Sequence, residues 1–401
     1  MMKNYAGKKM VIFLITLLLL LSFNVKSVSY KKEKVRIALY DSISPSVKLI
    51  ESSLHYSWNA ENGKYEMDVK RIDFKDVMNG SLKNYDVLII GASGRQYFHA
   101  LIPKWKEEVK EFIENGGGYI GICGGANIAS MGYEKPHTFL DFIINIASLH
   151  IVDAYINDDQ DEEWQYLWKE GGRANIAIKN EIMEGDIFAG MKKRYITYGG
   201  GPGLYKINNA KGLAKYVEEP SDIAPLHYWI WAGKWIPYKT IKTDIKGYYS
   251  SVETIYGKGK VVIFGGHPEI PPRINGSVDE FFGLSIYGIP RFVYSWVGGE
   301  QMNWSYNWWI LRRAVAYVCN LPLPPSNELY VYVNPPSDGK IEAYAENAEK
   351  VEFYVDGNLF SIDYNPPFKI KYDMKGEHVI KAVAFDRNGG EAWNERIVNI
   401  Q

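Results

Sequence analysis

Four short, almost continuous apolar runs constrain this sequence more than any other feature. They are residues 34–41 (KVRIALYD), 85–94 (YDVLIIGASG), 119–122 (YIGI) and 260–269 (KVVIFGGHPE), and glycine is frequent where they end. Runs of this length and character are typical of strands buried on both faces, as in parallel sheets. Helical patterns lie between them, so the order along the chain is strand, loop, helix, strand. This order predicts an α/β fold with a doubly wound sheet over residues 30–320.

Helical spacing is clearest in two segments. In residues 102–118 (IPKWKEEVKEFIENGGG), Pro103 suits a first helical turn, apolar residues recur at helical spacing, and three glycines end the pattern. A shorter helix should begin in residues 125–132 (GANIASMG). Residues 307–321 (NWWILRRAVAYVCNL) predict the helix that closes this domain.

The C-terminal part of the chain has a different pattern. Residues 321–326 (LPLPPS) form a Pro-rich linker, and residues 327–401 then alternate between apolar and polar in six or seven short segments separated by turn residues. This pattern predicts a small all-β sandwich. The segment resembles the Ig-like modules of secreted hydrolases, which implies a role in spacing or adhesion.

The first residues of the sequence are typical of an exported protein. Lysines precede an apolar run at residues 10–23, and small residues follow it near position 29. The run is too short for an ordinary membrane-spanning helix but suits the core of a signal peptide. We therefore predict a signal peptide over residues 1–29 and a secreted or extracytoplasmic protein. The alternative is an uncleaved segment that anchors the protein to a membrane through residues 10–23.

Composition excludes some classes of partner. The chain has 46 basic and 47 acidic residues, and this balance argues against nucleic acid. Its 30 tyrosines and 12 tryptophans would suit a surface that binds sugars, although a Tyr-rich core is the simpler explanation. Trp304, Trp308 and Trp309 could form such a surface, but their helical spacing favours the core. The two cysteines are too few for a disulfide framework, and Cys319 is expected to be an inert residue on the closing helix.

The other cysteine, Cys123, stands in a motif with chemical potential. Gly121 and Gly125 flank it in a G-x-C-x-G sequence between a predicted strand and a predicted helix. Such a strand-to-helix turn presents a nucleophile at the carboxyl edge of the sheet, where ligands bind in this architecture. The following helix N-terminus favours thiolate, and the backbone N–H of Gly124 could stabilise an oxyanion.

A thiol nucleophile usually works with an imidazole that a carboxylate orients. His267 follows a predicted buried strand and precedes Pro268 and Glu269. Proline forces the preceding residue toward an extended conformation, in which residues two apart share a side. Glu269 could therefore reach the ring of His267. The alternatives are a capping histidine and a solvated carboxylate.

These motifs resemble the class I glutamine amidotransferase-like superfamily, with its Cys–His–Glu triad and flavodoxin-like sheet. The segments around Cys123, at residues 195–205 (YITYGGGPGLY) and at residues 257–269 (GKGKVVIFGGHPE) resemble the family named for the N-terminal domain of biotin–protein ligases. The resemblance implies that Cys123 is the nucleophile, His267 the base and Glu269 the orienting acid.

The resemblance also implies roles for two loops. The first loop would supply a second oxyanion donor, and its residues are Gly91, Ala92, Ser93 and Gly94. Residues 199–203, which include Gly200 and Gly201, would approach the same pocket.

Two departures from the family bear on the reaction. Glutamine-hydrolysing members usually carry Gln four residues after the cysteine, where this chain has Asn127, and the sequence contains no recognisable synthase domain to receive ammonia. We therefore expect a hydrolase that cleaves C–N bonds in small-molecule or peptide amides through a thioester intermediate. The alternative is a catalytically silent binding protein that recognises a cell-surface glycan or peptide.

We expect neither a metal nor a cofactor. The acidic run at residues 156–168 (INDDQDEEWQYLW) is the one candidate cation ligand, and carboxylates in such a run are usually solvated.

Overall fold

The computed structural model describes residues 32–42, 44–157, 176–183, 185–284, 290–337, 339–372 and 375–400. The predicted signal peptide and most of the acidic run lie outside these residues. Within the described part of the chain, every helix is too short or too polar to cross a membrane.

Strands dominate the fold. In chain order they are β1 Lys32–Tyr40, β2 Tyr56–Ala60, β3 Gly63–Ile72, β4 Val87–Ile90, β5 Gly118–Ile122, β6 Tyr155–Asn157, β7 Ile176–Ile182, β8 Lys193–Tyr198, β9 Gly203–Tyr205, β10 Lys211–Tyr216, β11 His227–Trp231, β12 Trp235–Thr240, β13 Tyr249–Tyr256, β14 Gly259–Phe264, β15 Arg273–Leu284, β16 Pro290–Gln301, β17 Tyr330–Val333, β18 Lys340–Glu346, β19 Lys350–Val355, β20 Asn358–Asp363, β21 Phe368–Lys371, β22 Gly376–Phe385 and β23 Gly390–Ile400.

The helices are shorter in total and lie mainly in the first half of the chain. They are α1 Pro45–Leu54, α2 Phe74–Met78, α3 Arg95–His99, α4 Pro103–Glu114, α5 Gly124–Ala129, α6 Phe139–Ala147, α7 Pro220–Ile223 and α8 Trp308–Val318. The helices predicted within residues 102–118, 125–132 and 307–321 are confirmed as α4, α5 and α8.

Five parallel strands form the centre of the main sheet. Their order across the sheet is β3-β1-β4-β5-β14, and each neighbouring pair is parallel. The strands predicted from the four apolar runs are β1, β4, β5 and β14, and all four are confirmed. Because β5 and β14 are neighbours, the loops that follow them meet at the same edge of the sheet.

Both faces of this sheet are covered, which explains the continuous apolar runs. In β1, Ile37 and Leu39 pack with the core that includes α1 and α8, whereas Ala38 and Tyr40 pack with the core that includes α4 and α5. All four side chains are completely buried. A strand between two helical layers has no solvent face, and the sequence therefore shows no polar alternation there.

Beyond β14 the sheet continues with antiparallel strands. β14 pairs with β13, β13 with β10, β10 with β7 and β7 with β8. β15 and β16 form a long hairpin, and β11 and β12 form a separate two-stranded one. The fold is therefore mixed α/β and rich in strand.

Among the described residues after α8, seven strands form two sheets. β17, β18 and β21 form one sheet, while β20, β19, β22 and β23 follow one another in the other. Buried residues of both sheets belong to one hydrophobic core, which also includes the α1 and α8 side of the main sheet. We call these seven strands the C-terminal β unit.

The C-terminal β unit is joined to the main sheet by strand pairing. β23 lies antiparallel to β2, with Trp58 opposite Gly390. Lys64 and Glu391 form an ion pair of 2.5 Å across this junction. The indole Nε1 of Trp58 donates to the carbonyl of Pro322 at 3.0 Å, which holds the Pro-rich segment against the same place.

The three tryptophans at and just before the start of α8 are mostly core residues. Trp308 and Trp309 are buried, as their helical spacing indicated, whereas Trp304 is 40% exposed. Because two of the three indoles face the interior, they do not form a continuous platform for sugar rings.

Candidate active site

Cys123 occupies a strained turn between β5 and α5. Its backbone has φ 52° and ψ −107°, a conformation that residues with a side chain rarely adopt and that costs about 1–3 kcal/mol. The N–H of Cys123 donates to the carbonyl of Phe264 at 2.8 Å, which ties the turn to the end of β14. The expected strand-to-helix turn is thus present at Cys123, and its role as a nucleophile elbow stays a prediction.

Glycines around the turn are required because the backbone is crowded. A Cβ added at Gly125 would lie 1.9 Å from the carbonyl oxygen of Ile90, and one at Gly121 would lie 2.5 Å from the carbonyl oxygen of Gly125. At these distances a side chain would displace backbone. The glycines of the G-x-C-x-G sequence therefore allow strand and helix to approach closely at the turn.

His267 and Glu269 lie together at the end of β14. The backbone N–H of His267 donates to the carbonyl of Thr197 at 2.8 Å, which holds this segment extended beside β8. His267 Nδ1 lies 2.9 Å from Glu269 Oε1. His267 is 5% exposed and Glu269 is fully buried, so water does not compete for this contact. The predicted pairing of residues two apart is confirmed.

The electrostatics of His267 connect it to Cys123. Burial lowers the pKa of His267, but the charges of Glu269 and Cys123 and its side-chain hydrogen bonds to both outweigh burial and raise the pKa above its usual value. Since Nδ1 faces Glu269, the other ring nitrogen remains for the thiol. Burial and the nearby Cys123 also raise the pKa of Tyr216 well above its usual range. The three triad candidates of the sequence are thus neighbours in space.

The glycine loop at residues 199–203 lies over these side chains. A Cβ at Gly199 would lie 3.3 Å from His267 Nε2, and one at Gly201 would lie 3.4 Å from Cys123 Cα. Gly200 has φ 88°, a backbone conformation in which a residue with a side chain would be strained. The loop therefore lies beside Cys123 and His267, and a role for it in substrate binding stays a prediction.

The loop at residues 91–94 lies on the other side of the turn. A Cβ at Gly124 would be 2.1 Å from the carbonyl oxygen of Ser93, and one at Gly91 would be 3.4 Å from Ser46 Oγ. The hydroxyl of Ser93 donates to the carbonyl of Ser42 at 2.9 Å and accepts from the N–H of Arg95. Ala92 and Gly94 complete this loop. An oxyanion-binding role for the loop and for the N–H of Gly124 stays a prediction.

Asn127 lies one helical turn after Cys123. It is buried, and its Nδ2 donates to the hydroxyl of Tyr97 at 2.9 Å. The amide is therefore engaged inside the protein.

Two hydrogen-bond partners of Glu269 were not found from the sequence. Ser46 Oγ donates to Glu269 Oε1 at 2.5 Å, and Trp308 Nε1 donates to the backbone carbonyl of Glu269 at 2.8 Å. A signal for Ser46 was available, because it follows β1, whose carboxyl end shares an edge with that of β14. Nothing in the local sequence indicated Trp308.

Residues 66–280 match the family model described as biotin-protein ligase, N terminal. The match spans more than half of the chain, and the chain therefore belongs to this family. Cys123, His267 and Glu269 all lie within the matched residues. The match confirms, over residues 66–280, the family that the motifs resemble. A comparison with curated proteins finds no significant match.

Solved structures show weaker likeness. The cytoplasmic protein STM1381 of Salmonella typhimurium LT2 is 16% identical, with 58% of this chain and 86% of that chain covered and a TM-score of 0.35. A glutamine amidotransferase of Thermotoga maritima is 11% identical, with 59% and 77% covered and a TM-score of 0.31. Fibronectin(III)-like modules of Clostridium thermocellum CbhA are 22% identical, with 18% and 95% covered and a TM-score of 0.16. These TM-scores are low, and the family assignment rests on the sequence match.

Proposed function

We propose that this protein is an exported cysteine hydrolase that cleaves amide C–N bonds through a Cys123–His267–Glu269 triad. The observation that carries the proposal is that one buried imidazole interacts with both the thiol and the carboxylate. The strained turn at Cys123 supports it, because backbone strain of this kind concentrates at functional sites. The order of the five parallel strands also supports a flavodoxin-like, amidotransferase-like domain, in which ligands bind at the carboxyl edge.

The proposed reaction has two stages. His267 takes the thiol proton as the Cys123 sulfur attacks the amide carbonyl, and it gives this proton to the departing amine as the C–N bond breaks. His267 then takes a proton from water as the water attacks the thioester. It returns the proton to the sulfur as the C–S bond breaks, so the acid leaves and the thiol is restored. Glu269 orients the imidazole and stabilises its charged form. The N–H of Gly124 would stabilise the oxyanion in both stages.

The substrate proposed is an amide of a peptide or small molecule other than glutamine. The buried contact between Asn127 and Tyr97 supports this choice, because it leaves that amide turned inward. Export through residues 1–29 is part of the same proposal and depends on the sequence alone. We also propose that the C-terminal β unit is an Ig-like module, on the basis of its seven strands in two sheets.

Intact-mass spectrometry after acid quenching tests the proposal. The mature protein is incubated with mixed peptide amides, N-acyl amino acids and small primary amides. We expect a mass increase equal to an acyl group, which Cys123→Ser abolishes and Cys319→Ser retains. If no substrate gives an adduct or a product, and Cys123→Ser binds a ligand as tightly as the wild type, the protein is a silent binding protein and the proposal is wrong.

A further inference from the structure

The carboxylate of Glu269 is held by two donors on the same oxygen. Ser46 Oγ donates to Oε1 at 2.5 Å, and His267 Nδ1 lies 2.9 Å from that atom. Ser46 and Glu269 are both buried. Oε2 of Glu269 is also buried and has no hydrogen-bond partner among the residues that the structure describes. The orientation of this carboxylate toward His267 therefore depends on contacts to a single oxygen.

Loss of a hydrogen-bond donor to the buried Glu269 carboxylate costs more free energy than a similar loss at the protein surface. A buried carboxylate cannot replace a lost hydrogen bond with water. The serine hydroxyl has one proton, and it is directed to the oxygen that faces the imidazole. Without it, the Glu269 carboxylate could move away from Nδ1. This change would weaken the interaction that favours the charged imidazole.

The helix that carries Ser46 is held at both ends. At its start, the hydroxyl of Ser44 accepts from the N–H of Ser46. At its other end, Arg312 Nε donates to the carbonyl of Ser53 at 2.8 Å, and Arg312 Nη2 donates to the carbonyl of Leu329 at 2.9 Å. Arg312 is completely buried in α8. The Ser44 contact caps α1, and the contact of Arg312 with Ser53 ties α1, which carries Ser46, to α8.

We propose that Ser46 is a positioning residue that holds the Glu269 carboxylate against His267 and thereby supports the reactivity of Cys123. The inference rests on the proposed function, in which that carboxylate orients the imidazole. Ser46 acts through Glu269 and does not contact the reacting atoms.

The pH profile of Cys123 alkylation by iodoacetamide, followed by peptide mass spectrometry, tests this role without a known substrate. For Ser46→Ala we expect a rate at pH 7 that is about threefold to tenfold lower, the size of effect that one hydrogen bond supplies. The profile should also shift toward higher pH, because a less stabilised imidazolium supports the thiolate less well. A purely structural role for Ser46 would not shift the profile.

Two further sets of variants distinguish loss of the Ser46 hydroxyl from a general change in the fold. Ser53→Ala is the matched control, since Ser53 is buried in the same helix and its hydroxyl donates to the carbonyl of Ile50. Ser46→Thr and Ser46→Val have the same shape and differ in the hydroxyl alone, so any effect of an added methyl is common to both. We expect Ser53→Ala to match the wild type, and Ser46→Thr to retain a profile that Ser46→Val loses.

The outcomes distinguish this inference from the proposed function. If Ser46→Ala matches the wild type, or if the Thr and Val variants share one profile, while His267→Ala slows alkylation, the role of Ser46 is refuted and the triad stands. If His267→Ala also leaves the wild-type profile unchanged, the proposed function falls with it.

Discussion

The two cysteines lie at opposite ends of the parallel sheet and differ in their surroundings. Cys123 follows the carboxyl end of β5, in a backbone conformation with φ 52°, and interacts with His267. Cys319 ends α8 with φ −89°, and the preceding Val318 packs where a Cβ on Gly118, the first residue of β5, would lie. Both thiols are free.

The environment of Cys319 disfavours the charged thiolate. Burial, and secondarily the charge of Asp86, raise its pKa to about 12. Cys319 also lines a cavity of about 840 Å³ at the amino ends of the strands, together with Asp86 and Gly116. A large cavity beside a thiol therefore does not by itself identify an activated nucleophile. A neighbouring imidazole and a constrained turn are better indicators.

The largest expected difference between the surroundings of the two cysteines is the loss of stability caused by glycine substitutions at the two ends of β5. At the carboxyl end, Gly125→Ala places a Cβ 1.9 Å from the Ile90 carbonyl oxygen, and we expect a loss of about 3 kcal/mol or more. At the amino end, Gly116 has φ 115°, and a Cβ added there would have its nearest neighbour 3.8 Å away. For Gly116→Ala we therefore expect a loss of stability of about 1–2 kcal/mol, from backbone strain alone. Chemical denaturation measures both values. Equal losses would mean that the backbone near Cys123 is no more crowded than the backbone at the amino end of β5.

A smaller effect should appear in the pH dependence of Cys319. Because its pKa is raised in the folded protein, the unfolded chain loses this proton first as the pH rises above about 9. Stability then falls with rising pH, by about 1 kcal/mol per pH unit for this group. The stability advantage of the wild type over Cys319→Ala should therefore shrink between pH 8 and pH 10 in urea denaturation.

The control for this prediction is Val318→Ala, because Val318 is a buried neighbour that does not titrate. Its effect on stability should be the same at both pH values. If the difference between the wild type and Cys319→Ala is also independent of pH, burial does not hold this thiol neutral.

The elements around Cys123 were predictable because their signals are local. Continuous apolar runs marked the strands that are buried on both faces, and the order of glycine and cysteine marked the turn. The pairing of His267 with Glu269 was also predictable, since Pro268 forces an extended backbone and residues two apart then share a side.

Other features depend on contacts between distant parts of the chain and were not found from the sequence. The pairing of β2 with β23 joins residues more than 300 positions apart. Ser46 reaches Glu269 only because the sheet brings the ends of β1 and β14 to one edge. The hairpin of β15 and β16 was missed because its sequence contains glycines and lacks a clean alternation.

The most direct test of the account is the rate of iodoacetamide alkylation at Cys123 and Cys319, resolved by peptide mass spectrometry at pH 7. In the wild type we expect Cys123 to react at least about tenfold faster than Cys319, as thiolates activated by an imidazole do. His267→Ala should remove most of that difference. Slow and equal labelling of the two thiols in the wild type, unchanged in His267→Ala, would contradict the claim that Cys123 is an activated nucleophile.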